Sequence, residues 1–193
     1  MYAYGLVDTA KRTLRLARDP FGIKPLYYCT MDDTFIFSSE LRAILATRLQ
    51  PWNLSRTALS RYLATGSTGE FQTIVSGIQS VAAGQEIVVS FSGQGLRVTA
   101  VESENRWRRS SDSPSSRDEA VEALHCILKD SVRHHLVSDV PVGLFLSGGI
   151  DSSALLQLMR EVEAKKIQTF TVTFGESGLS EGTQSRKIAA QYE

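Results

Sequence analysis

The sequence predicts two successive domains of different class: an α+β domain rich in antiparallel strands, then an α/β domain with a parallel sheet. Residues 1–107 contain short strand-like segments separated by turn residues. Residues 108–116 are polar, serine-rich and contain a proline, a composition typical of a linker, and Trp107 is expected to close the first domain. Residues 117–193 alternate helical patterns with short apolar runs, which favours a parallel sheet.

Composition and charge restrict the classes of function. The chain has 193 residues, 42% of them hydrophobic and 22% charged, with a net charge of zero. These values indicate a globular protein and give no sign of a nucleic-acid or membrane partner. No apolar run is long enough to cross a membrane and no secretory signal pattern is present, so we expect a cytoplasmic protein. Cys29 and Cys126 lie in apolar segments, and we expect both thiols to be buried.

The first domain contains two predicted strand pairs, two short helices and a hairpin. The strand pairs are "MYAYGLVD" with "TLRLARD", and "KPLYYCT" with "DTFIFSS". Ser39 is a candidate cap for the helix in "SELRAILAT", whereas Ser55 caps and Gly66 ends the helix in "LSRTALSRYLATG". The segment "GQEIVVSFSGQGLRVTAV" predicts a hairpin.

The second domain is predicted to open with a long helix. Ser116 and Glu119 fit a capping box. Its apolar stripe is Val121, Leu124, Leu128 and Val132. The runs "VPVGLFLS" and "KIQTFTVTF" then predict two buried strands joined by a helix, and "SEGTQSRKIAAQY" predicts another helix. The apolar face of the joining helix is expected to be Ala154, Leu155, Leu158 and Met159.

The junction "LSGGIDSS" carries the predicted chemistry. A turn from Ser147 to Ser153 at a helix N-terminus offers unpaired backbone N–H groups and the positive end of the helix dipole. Gly148 and Gly149 allow a tight turn and a close approach of an anion, and three serine hydroxyls add donors. The pattern therefore predicts a phosphate or pyrophosphate site. It differs from the P-loop because it lacks the spaced second glycine and the lysine.

Asp151 has two interpretations. A carboxylate facing phosphates is repelled unless a cation lies between them, so Asp151 is a candidate ligand of Mg²⁺. Alternatively, Asp151 is only a helix cap.

Two sets of motifs indicate a known family. "LSGGIDSS" after "VPVG" resembles the pyrophosphate-binding motif of the ATP-pyrophosphatase superfamily, and "SDVPVGLFLSGGIDSSALL" resembles the glutamine-hydrolysing asparagine synthetases. "LRLARDPFGIKPLYY", "FIFSSELRAIL" and "SGIQSVAAGQEIVV" resemble the second half of their class II glutaminase domain, a fold of the N-terminal-nucleophile type.

The resemblance implies a reaction and a site. The substrates would be ATP with Mg²⁺, aspartate and glutamine: the aspartate side chain is adenylated and then amidated by ammonia from glutamine. The implied ATP and pyrophosphate residues are Leu146, Ser147, Gly148, Gly149, Ile150, Asp151, Ser152, Ser153 and Val172, with Asp151 also on the metal. For Val172 the competing interpretation is core packing.

The sequence also departs from the family pattern. The family's glutaminase uses an N-terminal cysteine as nucleophile, whereas this chain starts Met1-Tyr2 and Cys29 lies on a predicted strand. We therefore expect a fragment without a catalytic glutaminase residue. Glu181 aligns with the second acid of a family Asp-Glu pair, but Ser180 replaces the first.

Several alternatives stay open at this point. The same adenylation serves β-lactam synthetases and peptide-cyclising homologues, and a non-catalytic nucleotide-binding remnant would carry the same motif. A homodimer is one assembly that the sequence leaves open. The histidines are expected to form a solvated cationic helix end: His125, His134 and His135. Arg18, Asp19 and Lys24 of "RDPFGIKP" predict a structural turn.

Overall fold

The computed structural model describes most of the chain in six stretches: residues 1–49, 51–93, 95–102, 114–163, 166–174 and 181–192. The chain divides into two compact units, Met1–Arg108 and Arg109–Glu193. Trp107 and most of the predicted linker lie outside the described residues. No helix in the described stretches is both long and apolar enough to span a bilayer.

The described strands of the first unit form two antiparallel sheets. One has the strand order β1-β2-β6-β7 and the other β4-β3-β5. The strands are β1 Ala3–Asp8, β2 Thr13–Arg18, β3 Tyr27–Met31, β4 Thr34–Ser38, β5 Gln79–Ser80, β6 Gln85–Ser92 and β7 Gly95–Glu102. Both predicted strand pairs form, and the predicted hairpin is confirmed with Ser92 opposite Gly95.

Strand β3 serves two hydrophobic cores because neighbouring side chains of a strand point to opposite faces. Tyr28 packs against the core between the sheets, where Leu16 and Ile87 are buried. Cys29 faces the other way, into a core with Ile44 of the first helix. The three-stranded sheet is therefore covered on both faces, which explains why Cys29 is only 1% exposed.

The described residues of this unit form two helices, α1 Leu41–Ala46 and α2 Arg56–Thr65. The predicted ends of α2 are confirmed: Ser55 Oγ accepts the Ala58 N–H at 3.2 Å, and Gly66 ends the helix in the left-handed conformation. The predicted Ser39 cap is wrong, because the N-cap of α1 is Glu40 and its side chain makes no cap hydrogen bond.

The "RDPFGIKP" segment is confirmed as a structural turn. The Asp19 carboxylate is 1% exposed and accepts the backbone N–H groups of Phe21, Ile23 and Lys24 at 3.0–3.1 Å. The Arg18 guanidinium donates to backbone carbonyls of this turn and of a strand connection: Gly22, Lys24 and Val81. Lys24 takes part through its backbone. The turn thus joins β2 to the connection between β5 and β6.

Where the structure describes it, the second unit combines three helices with a pair of parallel strands. Its elements are α3 Arg117–His135, β8 Gly143–Phe145, α4 Ile150–Val162, β9 Gln168–Phe170 and α5 Gly182–Ala190. Strands β8 and β9 pair in parallel, with Leu144 opposite Thr169, and α4 connects them along the chain. The Ser116 cap of α3 is confirmed by its bond from the Glu119 N–H at 3.2 Å. The Glu119 carboxylate returns to Ser115, one residue earlier than a standard capping box.

Burial in this unit differs from the sequence pattern. Of the predicted α3 stripe only Val132 is buried, since the described core reaches this helix near its C-terminal end, where Val132 contacts Leu158 and Met159. On α4, Leu156 is buried on the side toward β9, whereas Leu155 is 42% exposed. The prediction for Cys126 is also wrong, because this residue is exposed on α3.

Candidate functional site

The candidate site begins where β8 ends. The Leu146 N–H donates to the Phe170 carbonyl over 2.8 Å, which ties the end of β8 to the end of β9. Leu146 is 1% exposed. Two residues later Gly148 has φ +81°, a conformation that favours glycine. A Cβ at this position would also lie 3.0 Å from Gln184 Cγ, so both the backbone conformation and the close contact favour glycine at the corner.

The first turn of α4 presents backbone donors that have no acceptor within the helix. Gly149 is the N-cap, and no side chain caps the helix. The first intrahelical bond runs from the Ser153 N–H to the Gly149 carbonyl, at 3.1 Å. The three preceding amides, on Ile150, Asp151 and Ser152, therefore have no intrahelical acceptor. Together with the helix dipole they favour an anion at this end.

The three serine hydroxyls bond within the turn. Ser152 Oγ and Ser153 Oγ donate to the Gly149 carbonyl at 3.2 and 2.7 Å. Ser147 Oγ accepts the Gly149 N–H at 3.3 Å and lies 3.1 Å from Ser152 Oγ. A bound anion would accept hydrogen bonds from the backbone amides directly. The serine hydroxyls could donate to it only after rotating away from their present partners.

Asp151 lies inside the first turn of α4 and is exposed. Because the cap position belongs to Gly149, the interpretation of Asp151 as a helix cap is wrong. In the described part of the chain no three His, Cys, Asp or Glu side chains come together to hold a metal. Mg²⁺ is commonly held by one or two carboxylates together with substrate phosphates. A single exposed carboxylate beside the candidate anion site fits that donor set and does not form a preformed metal cage.

A cavity of about 310 Å³ opens beside the turn, at the carboxyl ends of β8 and β9. This volume falls within the usual size of small-molecule sites, about 300–1,000 Å³. Its lining residues are Phe145, Leu146, Ser147, Phe170, Thr171, Val172, Phe174 and Glu181. The cavity thus brings Val172 together with Leu146 and Ser147. Val172 is 64% exposed, so its interpretation as core packing is wrong.

Two residues at this site were missed by sequence reasoning. Thr171 Oγ1 and Ser185 Oγ both lie within hydrogen-bond distance of the Leu146 carbonyl oxygen, at 2.7 and 3.0 Å. Serine and threonine are common at helix and strand ends, so neither residue carried a local signal. Glu181 was noted from the sequence only for its family alignment, and it lines the cavity.

The remaining candidate groups have structural surroundings. Burial raises the pKa of the Cys29 thiol, which is the opposite of the shift that activates a nucleophile. The three histidines are exposed on α3, but only His134 and His135 lie in its last turn; the expectation is wrong for His125, which lies near the middle of the helix. His125 Nε2 lies 3.2 Å from the Glu161 carboxylate, and the Nδ1 atoms of His134 and His135 each lie 2.8 Å from a helix carbonyl.

Comparisons with known proteins agree with both units. Residues 1–99 match the family model described as a glutamine amidotransferase domain, and residues 123–193 match the asparagine synthase model. Asparagine synthetase [glutamine-hydrolyzing] 1 of Bacillus subtilis is 32% identical over 98% of this chain and 29% of its own length. A putative asparagine synthetase [glutamine-hydrolyzing] 2 of Methanocaldococcus jannaschii is 32% identical over 100% of this chain and 37% of its own. Asparagine synthetase [glutamine-hydrolyzing] 3 of B. subtilis is 33% identical over 92% of this chain and 29% of its own.

The chain thus spans less than two fifths of the length of these curated relatives. The matches nevertheless cover both of its units and occur in the order that the sequence motifs indicated. The chain therefore belongs to the asparagine synthetase family, and its first 99 residues belong to the glutamine amidotransferase domain family.

Proposed function

We propose that this chain is part of a glutamine-hydrolysing asparagine synthetase and carries the start of its ATP site. One observation supports this most directly: the glycine turn and the cavity meet at the carboxyl ends of two parallel strands. Val172 and Leu146 line the cavity, and the α4 amides that lack intrahelical acceptors begin beside it. Ligands of α/β proteins bind at such strand ends.

In the proposed reaction a carboxylate oxygen of the aspartate side chain attacks the α-phosphorus of ATP. The bond from the α-phosphorus to the bridging oxygen breaks, and pyrophosphate leaves with the electron pair. Ammonia from glutamine then attacks the acyl carbon of β-aspartyl-AMP, AMP departs and the nitrogen loses a proton. The glutamine amidotransferase domain supports glutamine as the source of that ammonia.

The glycine turn would bind the part of ATP that leaves as pyrophosphate. Negative charge grows on the leaving pyrophosphate, and fixed donors aimed at such charge lower the barrier. The amides of Ile150, Asp151 and Ser152 are donors of this kind, since they lack intrahelical acceptors. Ser147 and Ser153 would add hydroxyls once they rotate out of the turn.

Asp151 would hold Mg²⁺ together with phosphate oxygens. The ion would neutralise charge on the phosphates and would remove the repulsion between them and the carboxylate. Asp151 itself contributes one exposed carboxylate at the first turn of the helix.

The cavity would bind the base and the sugar. Five of its eight lining residues are aromatic or aliphatic, and the ring centroids of Phe145 and Phe170 are 6.2 Å apart. The other three are polar: Ser147, Thr171 and Glu181. Val172 reaches the cavity from the segment after β9, and its exposed side chain is available to a flat base. Leu146 would support the nucleotide at the junction of the cavity with the turn.

Titration calorimetry with ATP tests the proposal, with and without Mg²⁺. We expect Asp151→Asn to weaken magnesium-dependent binding by at least about tenfold, because a coordinating charge is lost. Asp139→Asn is the control, since Asp139 is another exposed carboxylate, shortly before β8. Binding that is independent of Mg²⁺ would contradict the role of Asp151, and an absence of ATP binding in the unsubstituted chain would contradict the site.

A further inference from the structure

The Leu146 carbonyl oxygen, directly before the turn, accepts hydroxyls from two other segments. Thr171 Oγ1 donates to it over 2.7 Å from the residues after β9, and Ser185 Oγ lies 3.0 Å away on α5. Leu146 is 1% exposed and Ser185 is 3% exposed. At such burial water does not readily replace a lost partner, and an unpaired buried carbonyl is costly.

The planar peptide unit transmits this restraint into the turn. The Leu146 carbonyl and the Ser147 N–H belong to one peptide plane and point in opposite directions. The Ser147 N–H donates to Ser152 Oγ at 3.3 Å. The plane is therefore held on one side by Thr171 and Ser185 and on the other by the first turn of α4.

Helix α5 contacts the turn at a second point. A Cβ at Gly148 would lie 3.0 Å from Gln184 Cγ and 3.5 Å from the Ser185 N atom. The first half of α5 thus lies directly against the glycine corner. The bond at Leu146 and the contact at Gly148 are two residues apart along the turn.

We propose that Ser185 is a positioning residue for the phosphate-binding turn and acts, with Thr171, through the Leu146 carbonyl. This inference rests on the proposed function of the turn. In this role Ser185 would not contact the ligand itself; its hydroxyl would hold the peptide plane between Leu146 and Ser147, which leads into the glycine corner. The same hydroxyl lies 3.0 Å from the Glu181 carbonyl, so its single proton is shared between a bond within α5 and the bond to Leu146.

Because the proton is shared, an experiment must distinguish a role of Ser185 within α5 from a role in positioning the turn. If Ser185 served only α5, its loss would lower stability and leave the turn unchanged. If it positions the turn, its loss changes the affinity of the folded protein for phosphates and the environment of the Ser147 amide. Both quantities can be measured on the full chain at a temperature well below unfolding.

The test uses Mg²⁺ with inorganic pyrophosphate as the probe and compares Ser185→Ala and Thr171→Ala with the unsubstituted chain. We expect each variant to bind pyrophosphate about 3- to 10-fold more weakly, the usual effect of one neutral hydrogen bond. We also expect faster hydrogen exchange of the Ser147 amide. Thr183→Ala, which removes an exposed hydroxyl from the same helix, should leave both measurements unchanged.

Two results would overturn the inference. Ser185→Ala with a lower Tm but unchanged pyrophosphate affinity and unchanged Ser147 exchange would make the hydroxyl purely structural. Equal weakening by Thr183→Ala would place the effect in α5 generally. If the unsubstituted chain does not bind pyrophosphate while Ser147 exchange still responds to Ser185→Ala, the proposed function fails, and Ser185 positions a turn that does not bind phosphate.

Discussion

The backbone N–H of Leu146 donates to the carbonyl of Phe170 over 2.8 Å, and this bond marks the point where β8 and β9 both end. Beyond it the two segments diverge. One becomes the glycine turn that starts α4, and the other continues to Val172 along the cavity. The divergence of the two segments creates the space in which we place the nucleotide.

The glycine corner predicts an asymmetry between its two glycines. Gly148→Ala should destabilise the protein by about 1–2 kcal/mol, because φ is +81° and the new Cβ would press on Gln184. Gly149→Ala should be tolerated better, since φ is −77° and the nearest atom, Ser147 Oγ, is 3.4 Å from the Cβ position. Urea unfolding of both variants measures the difference, and equal losses would contradict the described corner.

The cavity predicts that one substitution will affect the binding of ATP and of pyrophosphate differently. Val172→Glu should weaken ATP binding and leave pyrophosphate binding unchanged, because Val172 lines the cavity and lies outside the turn. The substitution should also fold normally, since the side chain is 64% exposed. Val137→Glu, at a valine that is 82% exposed, is the matched control. If Val172→Glu weakened both ligands equally, the cavity would not be a separate base site.

The surroundings of Asp19 predict that the stability of the first unit falls at acidic pH. Burial by itself raises the pKa of this carboxyl, but the backbone N–H groups of Lys24, Ile23, Tyr2 and Phe21 outweigh it and lower the pKa from 3.8 to about 2. A lowered pKa in the folded state means that the stabilisation is complete above pH 4 and is lost as the pH falls from about 4 to 2.

Asp19→Asn tests this directly. The amide cannot satisfy the same set of donors, so the free energy of unfolding at pH 7 should fall by about 3 kcal/mol. The variant should also lose the part of the acid dependence that falls between pH 4 and 2. Asp32→Asn, at an exposed turn residue with φ +46°, should change neither quantity. An unchanged acid dependence in Asp19→Asn would contradict the assignment.

Glu161 predicts a salt-dependent contact between α3 and α4. Lys129 at 3.1 Å lowers the pKa of its carboxyl, burial opposes this, and His125 at 3.2 Å lowers it further. The contact therefore stabilises the unit at neutral pH and weakens as the pH falls through the lowered pKa. Glu161→Gln should lower the Tm of this unit slightly at low salt and hardly at all in 1 M salt. Glu122→Gln, on the exposed face of α3, should have no comparable salt-dependent effect.

Local signals in the sequence predicted the parts of the fold that depend on neighbouring residues. The antiparallel strand pairs and the hairpin follow from alternation and turn residues, and the cap of α2 follows from Ser55. The glycine turn was also recognisable, because Gly148 and Gly149 stand between an apolar strand and a helix. Each of these features is decided within a few residues of chain.

Features that depend on distant residues were missed or wrong. The apolar stripe of α3 indicates which face is suited to burial, but its contacts with α4 decide that Val132 alone is buried among the four predicted positions. The bonds from Thr171 and Ser185 to Leu146 join residues 25 and 39 positions apart. The wrong cap at Ser39 shows that local signals can also mislead. Serine is a good capping residue, but Ser39 lies one position before the N-cap of α1.

The central claim is that the amides at the start of α4 bind the pyrophosphate part of ATP. Backbone NMR with Mg²⁺ and pyrophosphate tests it most directly. We predict that the largest amide shifts occur at Ile150, Asp151 and Ser152 and saturate with one ligand per chain. Saturable shifts confined to other residues, with these three amides unmoved, would contradict the claim.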